Sequence, residues 1–435
     1  MPEAIETEQP QTVKVCLASM SFYPLYAGPA VRFQRYAPGL AKRGVQTCVL
    51  TRAVTQALLE RDGSLTEGDG PGAGSPSGHG AEWPLFEIVD GIPVQRLDLP
   101  SGWRSHAAFF HRLVHYCKRS RTAIDVVQFL SLDIWAAPWL WRLRRLGVGT
   151  VFTHTLLGDL SPKPWKRMLQ RIHRRSPLQL VDRIVVSSSV MRRQLKDLGV
   201  STPIQVIPNG VDLRRFRPAA SQHDKANLRR QLDLHPDWDI ILAVGPIIPR
   251  KGVEAVVQAF ASICHYHPRA RLILVGPRHD QTRATLSEFG RHLQHKITSA
   301  GAQDRVIFTG PVAHVQDYMQ AADLLVFASR REGMPNVVPE AMACGLPVIM
   351  TPFIGLPEEF GYPDTHYILS DWAPATLGRD IQMLLKNRQR RWHLGHAARR
   401  WVEENLDVEQ SLTAYANMYG SMQNYRVKSA ERCSE

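Results

Sequence analysis

Short apolar runs rich in β-branched residues alternate with longer stretches of helical periodicity along almost the whole chain. The runs lack strict polar alternation, as expected of parallel strands that are covered on both faces. Ten runs are predicted to be strands: 12–19, 45–51, 125–131, 150–155 and 183–188 in the first half, and 240–246, 271–277, 305–310, 324–329 and 346–351 in the second. Helical stretches such as VEAVVQAFASIC lie between them and imply βαβ units. The pattern therefore predicts an α/β protein with two doubly wound sheets.

A turn-forming stretch, IPNGVDLRRFRP at 207–218, separates the two halves. The predicted division is an N-terminal domain at 1–208, a linker at 209–218, a C-terminal domain at 219–405, and a final helix with tail at 406–435. Residues 62–80 are rich in Gly and Ser, which predicts a flexible surface insertion. They are not a domain boundary, because the strand-like FEIVDGIPVQRL with its Asp-Gly turn follows them.

Composition narrows the class of protein. The chain has 435 residues, 44% of them hydrophobic and 21% charged, which is typical of an ordinary globular protein of two or three domains. No apolar run is long enough to cross a bilayer, and the acidic start does not resemble a signal peptide. Six cysteines lie far apart without a C-x-x-C pair, so reduced thiols in a cytosolic protein are favoured over disulfides or zinc.

The net charge of +13 favours anionic partners: nucleic acid, lipid headgroups or phosphorylated small molecules. The segment SPKPWKRMLQRIHRRSPL at 161–178 combines six Lys/Arg with an apolar stripe at helical spacing. Two interpretations stay open: a basic amphipathic helix that lies on anionic lipid, and a core-packed helix with a solvated basic face. Nucleic-acid binding is disfavoured, because no recognised nucleic-acid module accompanies the charge.

The stretch EGMPNVVPE holds two acids, Glu332 in a loop and Glu340 just inside a predicted helix. Asn336 is predicted to be the N-cap, Pro339 falls in the first turn, and Gly345 ends the helix. The first-turn N–H groups are unpaired and form an anion site suited to a diphosphate. Glu340 can reach polyol hydroxyls beside that anion, and Glu332 lies on its other side. This arrangement suits a ligand made of a sugar, a diphosphate and a nucleoside.

The longer stretch EGMPNVVPEAMACGLPVI resembles the E-x7-E motif of the retaining glycosyltransferases of family 4, which have the GT-B fold. Other parts agree in order: YPLYAGPAVRF after the first strand, VFTHT, VIPNGVD, and PRKG in the second domain. The resemblance covers roughly residues 12–423. It implies two Rossmann-like domains facing a cleft, with a final helix that crosses back to the first domain. It also implies a nucleoside-diphosphate sugar as donor, retention at the anomeric carbon, and neither a metal nor another cofactor.

The resemblance implies roles around the donor sugar. Glu332 would contact the sugar and help set up the reaction at its anomeric carbon, His154 would lie near the sugar, and Glu340 would bind the ribose hydroxyls. The alternatives are a solvated loop acid for Glu332, a helix-dipole acid for Glu340, and a satisfied core histidine for His154.

It also implies roles around the diphosphate. The backbone N–H groups of Asn336 and Val337 would bind it, and Lys251 matches the phosphate-binding lysine of the family, with Arg250 beside it. The alternative for Lys251 is an exposed lysine at a helix start. Gly28 matches the first glycine of the loop that approaches the phosphates.

Two positions depart from the family pattern. The second glycine of the first loop is Pro29, and the phosphate-binding arginine after the first strand of the second domain is Pro246. Arg250 and Lys251 together are predicted to supply the missing cation. Two functions stay open. One is a cytoplasmic enzyme that glycosylates a glycan or lipid-linked acceptor, peripheral at the inner face of the membrane. The other is a non-catalytic or weakly active GT-B protein that binds a sugar nucleotide or a partner.

Overall fold

The computed structural model describes residues 12–23, 28–54, 84–100, 104–119, 124–133, 136–155, 177–278 and 284–431. The predicted insertion at 62–80 and, apart from its last two residues, the predicted basic segment at 161–178 lie outside this range. The chain divides into two compact units. The first comprises residues up to Ser187, 192–207 and those from Glu409 onward, and the second comprises 188–191 and 208–408.

The first unit contains an eight-stranded sheet. Its strands are β1 Val13–Ala18, β2 Val45–Arg52, β3 Phe86–Val89, β4 Ile92–Leu97, β5 Val126–Phe129, β6 Gly149–His154, β7 Arg183–Val186 and β8 Ile204–Val206. Their spatial order is β3-β4-β2-β1-β5-β6-β7-β8. All neighbours are parallel except β3 and β4, whose antiparallel hairpin turns at Asp90 and Gly91. Both turn residues have positive φ (49° and 79°), as a two-residue type I′ turn requires.

The second unit contains a six-stranded, fully parallel sheet. Its strands are β9 Asp239–Val244, β10 Ala270–Val275, β11 Val306–Gly310, β12 Leu324–Phe327, β13 Val348–Met350 and β14 Ile368–Leu369. The spatial order is β11-β10-β9-β12-β13-β14. Strands β10 and β11 are added on one side of β9 and β12 to β14 on the other, so the order of addition reverses between β9 and β12. In open parallel sheets, ligands bind beyond the carboxyl ends of the strands at such a reversal. A ligand site is therefore expected at the loops that follow β9 and β12.

Helices cover the sheets, as the alternating pattern predicts. They are α1 Gly28–Ala41, α2 Arg104–Arg119, α3 Ala137–Arg145, α4 Pro177–Leu180, α5 Ser189–Asp197, α6 Gln222–Gln231, α7 Val253–Ile263, α8 Ala284–Ser299, α9 Val315–Ala321, α10 Val337–Ala343, α11 Pro374–Lys386, α12 Arg388–Asn405 and α13 Val408–Glu431. All ten predicted strands are confirmed, and so is the α/β class with two doubly wound sheets.

The C-terminal helix α13 packs on the first unit through both apolar and polar contacts. Leu412 lies over Gly39 of α1, where an added Cβ would come within 2.4 Å of a leucine methyl carbon. The buried Tyr419 hydroxyl donates a hydrogen bond to Gln128 of β5, and Gln128 donates through Nε2 to the Thr153 hydroxyl of β6 at 2.8 Å. A chain of buried, satisfied polar groups thus fixes this helix against the first sheet.

The segment predicted as a separate linker at 209–218 is part of the second unit instead. Val211 donates its N–H to the Leu406 carbonyl at 2.8 Å and accepts from the Val408 N–H at 3.0 Å. Phe216 is 2% exposed and lies in the core of the second unit. Its Pro-Asn-Gly start is irregular and does not form the predicted turn, since the assigned turn lies at 213–215. The apolar residues of the segment are drawn into the nearest core because their burial is favourable.

Asp323, directly before β12, is the centre of a largely buried ion cluster, in which its own side chain is 15% exposed. Its carboxylate accepts hydrogen bonds from Lys225 at 2.8 Å, Arg229 at 2.7 Å and the Ile240 N–H at 2.8 Å. Burial alone would raise the pKa of Asp323, but the two cations outweigh it and hold that pKa below its usual value. Because each member is paired, the cluster joins α6 to the starts of β9 and β12.

We therefore expect Asp323→Asn to lower the free energy of unfolding by about 3 kcal/mol, because Arg229 and Lys225 would keep their charges without an anion. Urea denaturation at neutral pH measures this difference. Asp237→Asn is the matched control, since the Asp237 side chain is 78% exposed. A change at Asp323 no larger than that at Asp237 would contradict a structural role for the cluster.

Candidate active site

Two loops meet at the point where the strand order of the second sheet reverses. After β9 the chain forms a short 3-10 turn, Pro249–Lys251, and after β12 it enters the loop that leads to α10. The Arg330 N–H donates to the Arg250 carbonyl at 2.9 Å, which joins the loops directly. Gly252 lets them approach: it has φ +66°, and a Cβ there would lie 1.9 Å from the Ala328 carbonyl oxygen. Only glycine fits this position without displacing the backbone.

Three side chains at this junction donate hydrogen bonds to the same carboxylate oxygen of Glu332. Oε1 of Glu332 accepts from Lys251 Nζ at 2.7 Å, Arg250 Nη1 at 3.0 Å and the Ser329 hydroxyl at 2.6 Å. The same Arg250 nitrogen also donates to the Arg331 carbonyl at 2.8 Å. Two cations and one carboxylate thus form a cluster with a net charge of +1, at the edge of the sheet where a ligand is expected.

The other oxygen of this carboxylate, Oε2, accepts no hydrogen bond from the part of the chain that the structure describes. Glu332 is 8% exposed and Ser329 is fully buried. The Lys251 side chain is 17% exposed and passes over Gly245, where an added Cβ would lie 3.7 Å from its Cε. The alternatives of a solvated loop acid for Glu332 and an exposed lysine for Lys251 are therefore wrong. The functional roles of Glu332 and Lys251 stay predictions.

The start of α10 differs from the sequence prediction. Asn336 occupies the N-cap position, but its backbone is helical and its side chain makes no capping hydrogen bond. Its Oδ1 accepts instead from Asn209 Nδ2 at 2.7 Å, and Asn209 also donates to the Met334 carbonyl at 2.9 Å. Asn209 is 8% exposed and belongs to the Pro-Asn-Gly stretch, 127 positions before Asn336. It anchors the loop between β12 and α10, a role that the sequence did not predict.

The end of α10 is as predicted. Gly345 has φ +68°, its N–H donates to the Met342 carbonyl at 2.9 Å, and the Leu346 N–H donates to the Ala341 carbonyl at 3.0 Å. These two bonds define a Schellman motif. Glu340 lies one turn into the helix, and its N–H donates to the Asn336 carbonyl.

The first turn of α10 offers unpaired donors. Within the described residues no acceptor meets the backbone N–H groups of Asn336 and Val337. Such groups at a helix start have no intrahelical partner and suit an anion. The structure thus brings Asn336, Val337 and Glu340 together on one loop and helix, and Arg250, Lys251 and Glu332 at the two joined loops.

Glycines end three strands of this sheet, and one of them has a packing explanation. Gly245, Gly276 and Gly310 have φ of 140°, 143° and 72°. A Cβ on Gly276 would lie 2.2 Å from the Gly245 carbonyl oxygen, so the missing side chain makes room for the neighbouring strand. No such contact exists at Gly310, where nothing lies within 4 Å of the added atom.

The remaining two predicted site residues belong to the first unit. His154 is the last residue of β6, where burial lowers its pKa and favours the neutral ring. Its Nε2 is buried without a hydrogen-bond partner in the described residues, which differs from a satisfied core histidine. Gly28, predicted in a loop, is the first residue of α1, so Pro29 stands in the first turn, where its missing N–H is harmless.

No group of three or more His, Cys, Asp and Glu side chains that could hold a metal ion exists among the described residues. None of the described helices is both long and apolar enough to cross a membrane.

Comparisons with known proteins agree with this geometry. Residues 26–215 match the family model "Glycosyltransferase Family 4", and residues 224–401 match "Glycosyl transferases group 1". A D-inositol 3-phosphate glycosyltransferase of Actinosynnema mirum is 32% identical over 300 residues, which cover 64% of this chain and 68% of that protein. The enzyme of the same name from Segniliparus rotundus is 32% identical over 275 residues, covering 59% of this chain. This chain spans 58% of the length of that relative.

Solved structures show the same fold. Anabaena HepE, crystallised in complex with UDP, superposes with a TM-score of 0.70 at 19% identity, covering 94% of this chain and all of HepE. At this level of identity the likeness concerns the fold alone.

The close approach of the two loops at Gly252 leaves no room for a side chain. Gly252→Ala should destabilise the second unit by about 3 kcal/mol and weaken any donor binding, because the Cβ forces the two loops apart. Gly301→Ala is the matched control: its φ is +61°, but only a His265 ring atom lies near, at 3.9 Å. Both variants place a Cβ at a residue with positive φ, but only Gly252→Ala also brings that Cβ against the neighbouring backbone. Denaturation curves measure the loss of unfolding free energy in each variant, and equal losses at the two positions would argue against crowding.

Proposed function

Since this chain belongs to the GT-B glycosyltransferases of the family 4 type, we propose that it transfers a sugar from a nucleoside-diphosphate sugar to an acceptor hydroxyl, with retention at the anomeric carbon and without a metal ion. The observation that carries this proposal is the cluster of Arg250, Lys251 and Glu332 at the reversal of the second sheet. The UDP in the HepE structure supports a nucleotide sugar as the class of donor.

The diphosphate is assigned to the space between the two cations and the start of α10. Lys251 carries three N–H donors and Arg250 carries five, so both can bond a phosphate while they keep a bond to Glu332. The N–H groups of Asn336 and Val337 would donate from the other side. When the sugar leaves, negative charge grows on the leaving phosphate oxygen, and fixed cations and dipoles stabilise it. These groups supply the stabilisation for which other enzymes use a metal ion.

Glu332 is assigned to the donor sugar through Oε2. Because three donors hold Oε1, the carboxylate plane is fixed and Oε2 is the oxygen that can accept from a sugar hydroxyl. This is an electrostatic and positioning role beside the anomeric carbon. His154, neutral because of its burial, would donate or accept a hydrogen bond at the sugar with the Nε2 that has no protein partner. Glu340 would accept from the ribose hydroxyls.

Arg250 takes the place of the arginine that the family has at the position of Pro246. Its guanidinium is held by Glu332 and the Arg331 carbonyl rather than projecting freely into solvent. From there it can offer a phosphate the two-pronged geometry that a lysine lacks.

The acceptor is assigned as a glycan or a lipid-linked glycan, consistent with polysaccharide biosynthesis by a cytoplasmic enzyme peripheral to the membrane. The sequence of the segment 161–178, with its six basic residues, supports contact with an anionic membrane surface. No role in binding nucleic acid is proposed.

A second function is favoured by one residue. Pro246 removes a cation from the phosphate site, and a non-catalytic GT-B protein that binds a sugar nucleotide or a partner would tolerate this loss. Donor hydrolysis or transfer by the purified full chain distinguishes the two functions. A thermal-shift screen over UDP-, GDP- and ADP-sugars comes first, because a ligand of the folded state must raise its stability.

The two acids should behave differently with the donor that this screen identifies. We expect Glu332→Gln to lower kcat by about 100-fold with little change in KM, because it removes charge beside the reacting carbon. Glu340→Gln should raise KM about tenfold, since it weakens a ground-state contact to the ribose. Steady-state kinetics measure both. Equal effects confined to KM would contradict this division of roles.

Arg250 and Lys251 should share the phosphate. We expect Arg250→Ala and Lys251→Ala each to lower kcat/KM by about tenfold or more, because each removes a charge-assisted hydrogen bond. Arg330→Ala is the matched control: the guanidinium carbon of this neighbouring arginine lies 5.0 Å from the Trp372 ring centroid, and within the described residues its side chain forms no hydrogen bond or ion pair with Glu332. Activity near wild type for Arg250→Ala, with a large loss for Lys251→Ala, would contradict sharing.

Pro246→Arg completes this series. A gain in donor affinity is expected if the missing arginine is a deficit of the site. If no variant, including Pro246→Arg, binds any donor, the non-catalytic function replaces the enzymatic one.

A further inference from the structure

Three of the cysteines that the structure describes lie together between the first sheet and helix α2. Cys16 of β1 and Cys48 of β2 are direct partners in the parallel register of these strands. Cys117 lies in the last turn of α2, and electrostatic interactions link it to both strand cysteines. All three are free thiols, and none belongs to the proposed donor site. The first unit thus holds a thiol cluster that the proposed function does not use.

The two strand cysteines point to the same face of the first sheet. Successive side chains along a strand point to opposite faces, and register partners on neighbouring strands point to the same one. Leu17 and Val49, which directly follow the two cysteines, belong to the hydrophobic core that includes Phe33 of α1. Cys16 and Cys48 therefore point away from α1, to the other face of the sheet.

Helix α2 covers this other face. Ala18 lies two residues beyond Cys16 on the same strand, and its register partner is Phe129 of β5, so Phe129 shares the face of the two cysteines. The Phe129 ring packs against Phe110 of α2, with ring centroids 5.9 Å apart. The thiol cluster is thus enclosed between β1, β2 and α2.

The register brings the two strand cysteines to the spacing of a disulfide. Neighbouring strands lie about 4.8 Å apart, and the Cα atoms of a disulfide are usually about 4.4 to 6.8 Å apart. Cys16 and Cys48 can therefore be joined without moving either strand. Cys117 belongs to the helical layer, where no ladder of hydrogen bonds fixes its distance from the strands.

The two strand cysteines differ in reactivity. Cys48 is partly exposed, whereas Cys16 is fully buried. Hydrogen bonding with the Cys16 thiol and with Tyr116 of α2 lowers the pKa of Cys48 and outweighs the effect of burial. The same contact with Cys48, together with burial, raises the pKa of Cys16. The thiolate of the pair therefore forms at Cys48, where solvent can reach it, and the thiolate is the nucleophilic form of cysteine.

We propose that Cys48 and Cys16 are a site of reversible oxidation by small peroxides, at which Cys48 attacks the peroxide and Cys16 closes a disulfide between β1 and β2. Only part of Cys48 is exposed, so the site admits hydrogen peroxide more readily than a bulky hydroperoxide. A second thiol directly beside the first captures a sulfenic acid before it is oxidised further.

The reaction has two steps. The Cys48 sulfur attacks one oxygen of hydrogen peroxide, the O–O bond breaks, and the other oxygen takes a proton and leaves as water, so that Cys48 becomes a sulfenic acid. The Cys16 sulfur then attacks the Cys48 sulfur, the S–O bond breaks, and the hydroxyl group leaves as water with the Cys16 proton. Two thiols and one hydrogen peroxide thus give one disulfide and two water molecules. A dithiol reductant reverses the change by two exchange steps and becomes a disulfide itself.

Peptide mapping of the full chain tests this pairing. The folded protein is treated with hydrogen peroxide, the remaining thiols are alkylated in denaturant, and the peptides are mapped by mass spectrometry. We expect one disulfide, between Cys16 and Cys48, which dithiothreitol removes. Cys264 and Cys344 of the second unit are buried, and should stay reduced as internal controls. A disulfide from Cys48 to Cys117, oxidation of the controls at the same rate, or no loss of the Cys16 and Cys48 thiols would each overturn the proposal.

Serine variants then assign the two roles. In Cys16→Ser the new hydroxyl can still donate to Cys48, so Cys48 should form a sulfenic acid that dimedone traps. Trapping should be about tenfold faster there than at Cys344, because burial raises the pKa of Cys344 to about 12. Cys48→Ser should give neither a sulfenic acid at Cys16 nor a disulfide.

Cys117→Ser is the matched control, since it removes a buried thiol of the same cluster and should leave the disulfide and its rate of formation unchanged. Trapping at Cys16 in Cys48→Ser, as fast as at Cys48 in Cys16→Ser, would overturn the assigned roles. Loss of the disulfide in folded Cys117→Ser would overturn the pairing. The peptide map of the wild type depends on none of these variants, so it tests the pairing even where a variant fails to fold.

Discussion

The convergence of Lys251, Arg250 and Ser329 on one oxygen of Glu332 is the interaction on which the candidate site depends. The carboxylate is nearly buried, and an unpaired charge there would be costly. Its partners come from both loops at the reversal of the second sheet, so the ion cluster and the loop junction support each other. The cations gain a fixed position by this pairing, and a phosphate bound as proposed would meet donors that are already oriented. Such preorganisation reduces the entropy that ordering long side chains would otherwise cost.

Much of the fold could be predicted from the sequence, because buried parallel strands give a strong and local signal. Every run of β-branched residues flanked by helical periodicity became a strand, and the Asp-Gly dipeptide gave the hairpin turn. Strands β8 and β14 have three and two residues and were not predicted, because neither lies in a continuous apolar run like the one that contains β13. The assignment of 209–218 to the second unit depends on the buried contacts of Val211 and Phe216, which no local pattern shows.

The candidate site was predictable in its residue types but not in its contacts. The spacing of Glu332 and Glu340 predicted the loop before α10, and the glycine at 345 predicted the end of this helix. The partner of Asn336 could not be foreseen, because Asn209 is 127 residues away along the chain. Ser329 carried a usable signal, since a hydroxyl three residues before an acid at a strand end can reach its carboxylate. The pairing of Arg250 with Glu332 bridges 82 positions and needed the three-dimensional structure.

The proline at 246 has a physical consequence beyond the loss of a cation. Proline fixes φ at the exit of β9 and removes an N–H donor, and the Pro246 carbonyl accepts from the Ile248 N–H at 3.0 Å. A second proline starts the 3-10 turn that carries Arg250 and Lys251. The backbone between strand and cations is thus stiffer than one with an arginine at 246. A stiff turn can hold a guanidinium four residues further along in a defined place, tied to Glu332 and the Arg331 carbonyl. In the proposed phosphate site the positive charge would therefore lie on the turn and not at the strand end, and the stiffness of that turn would hold it in place.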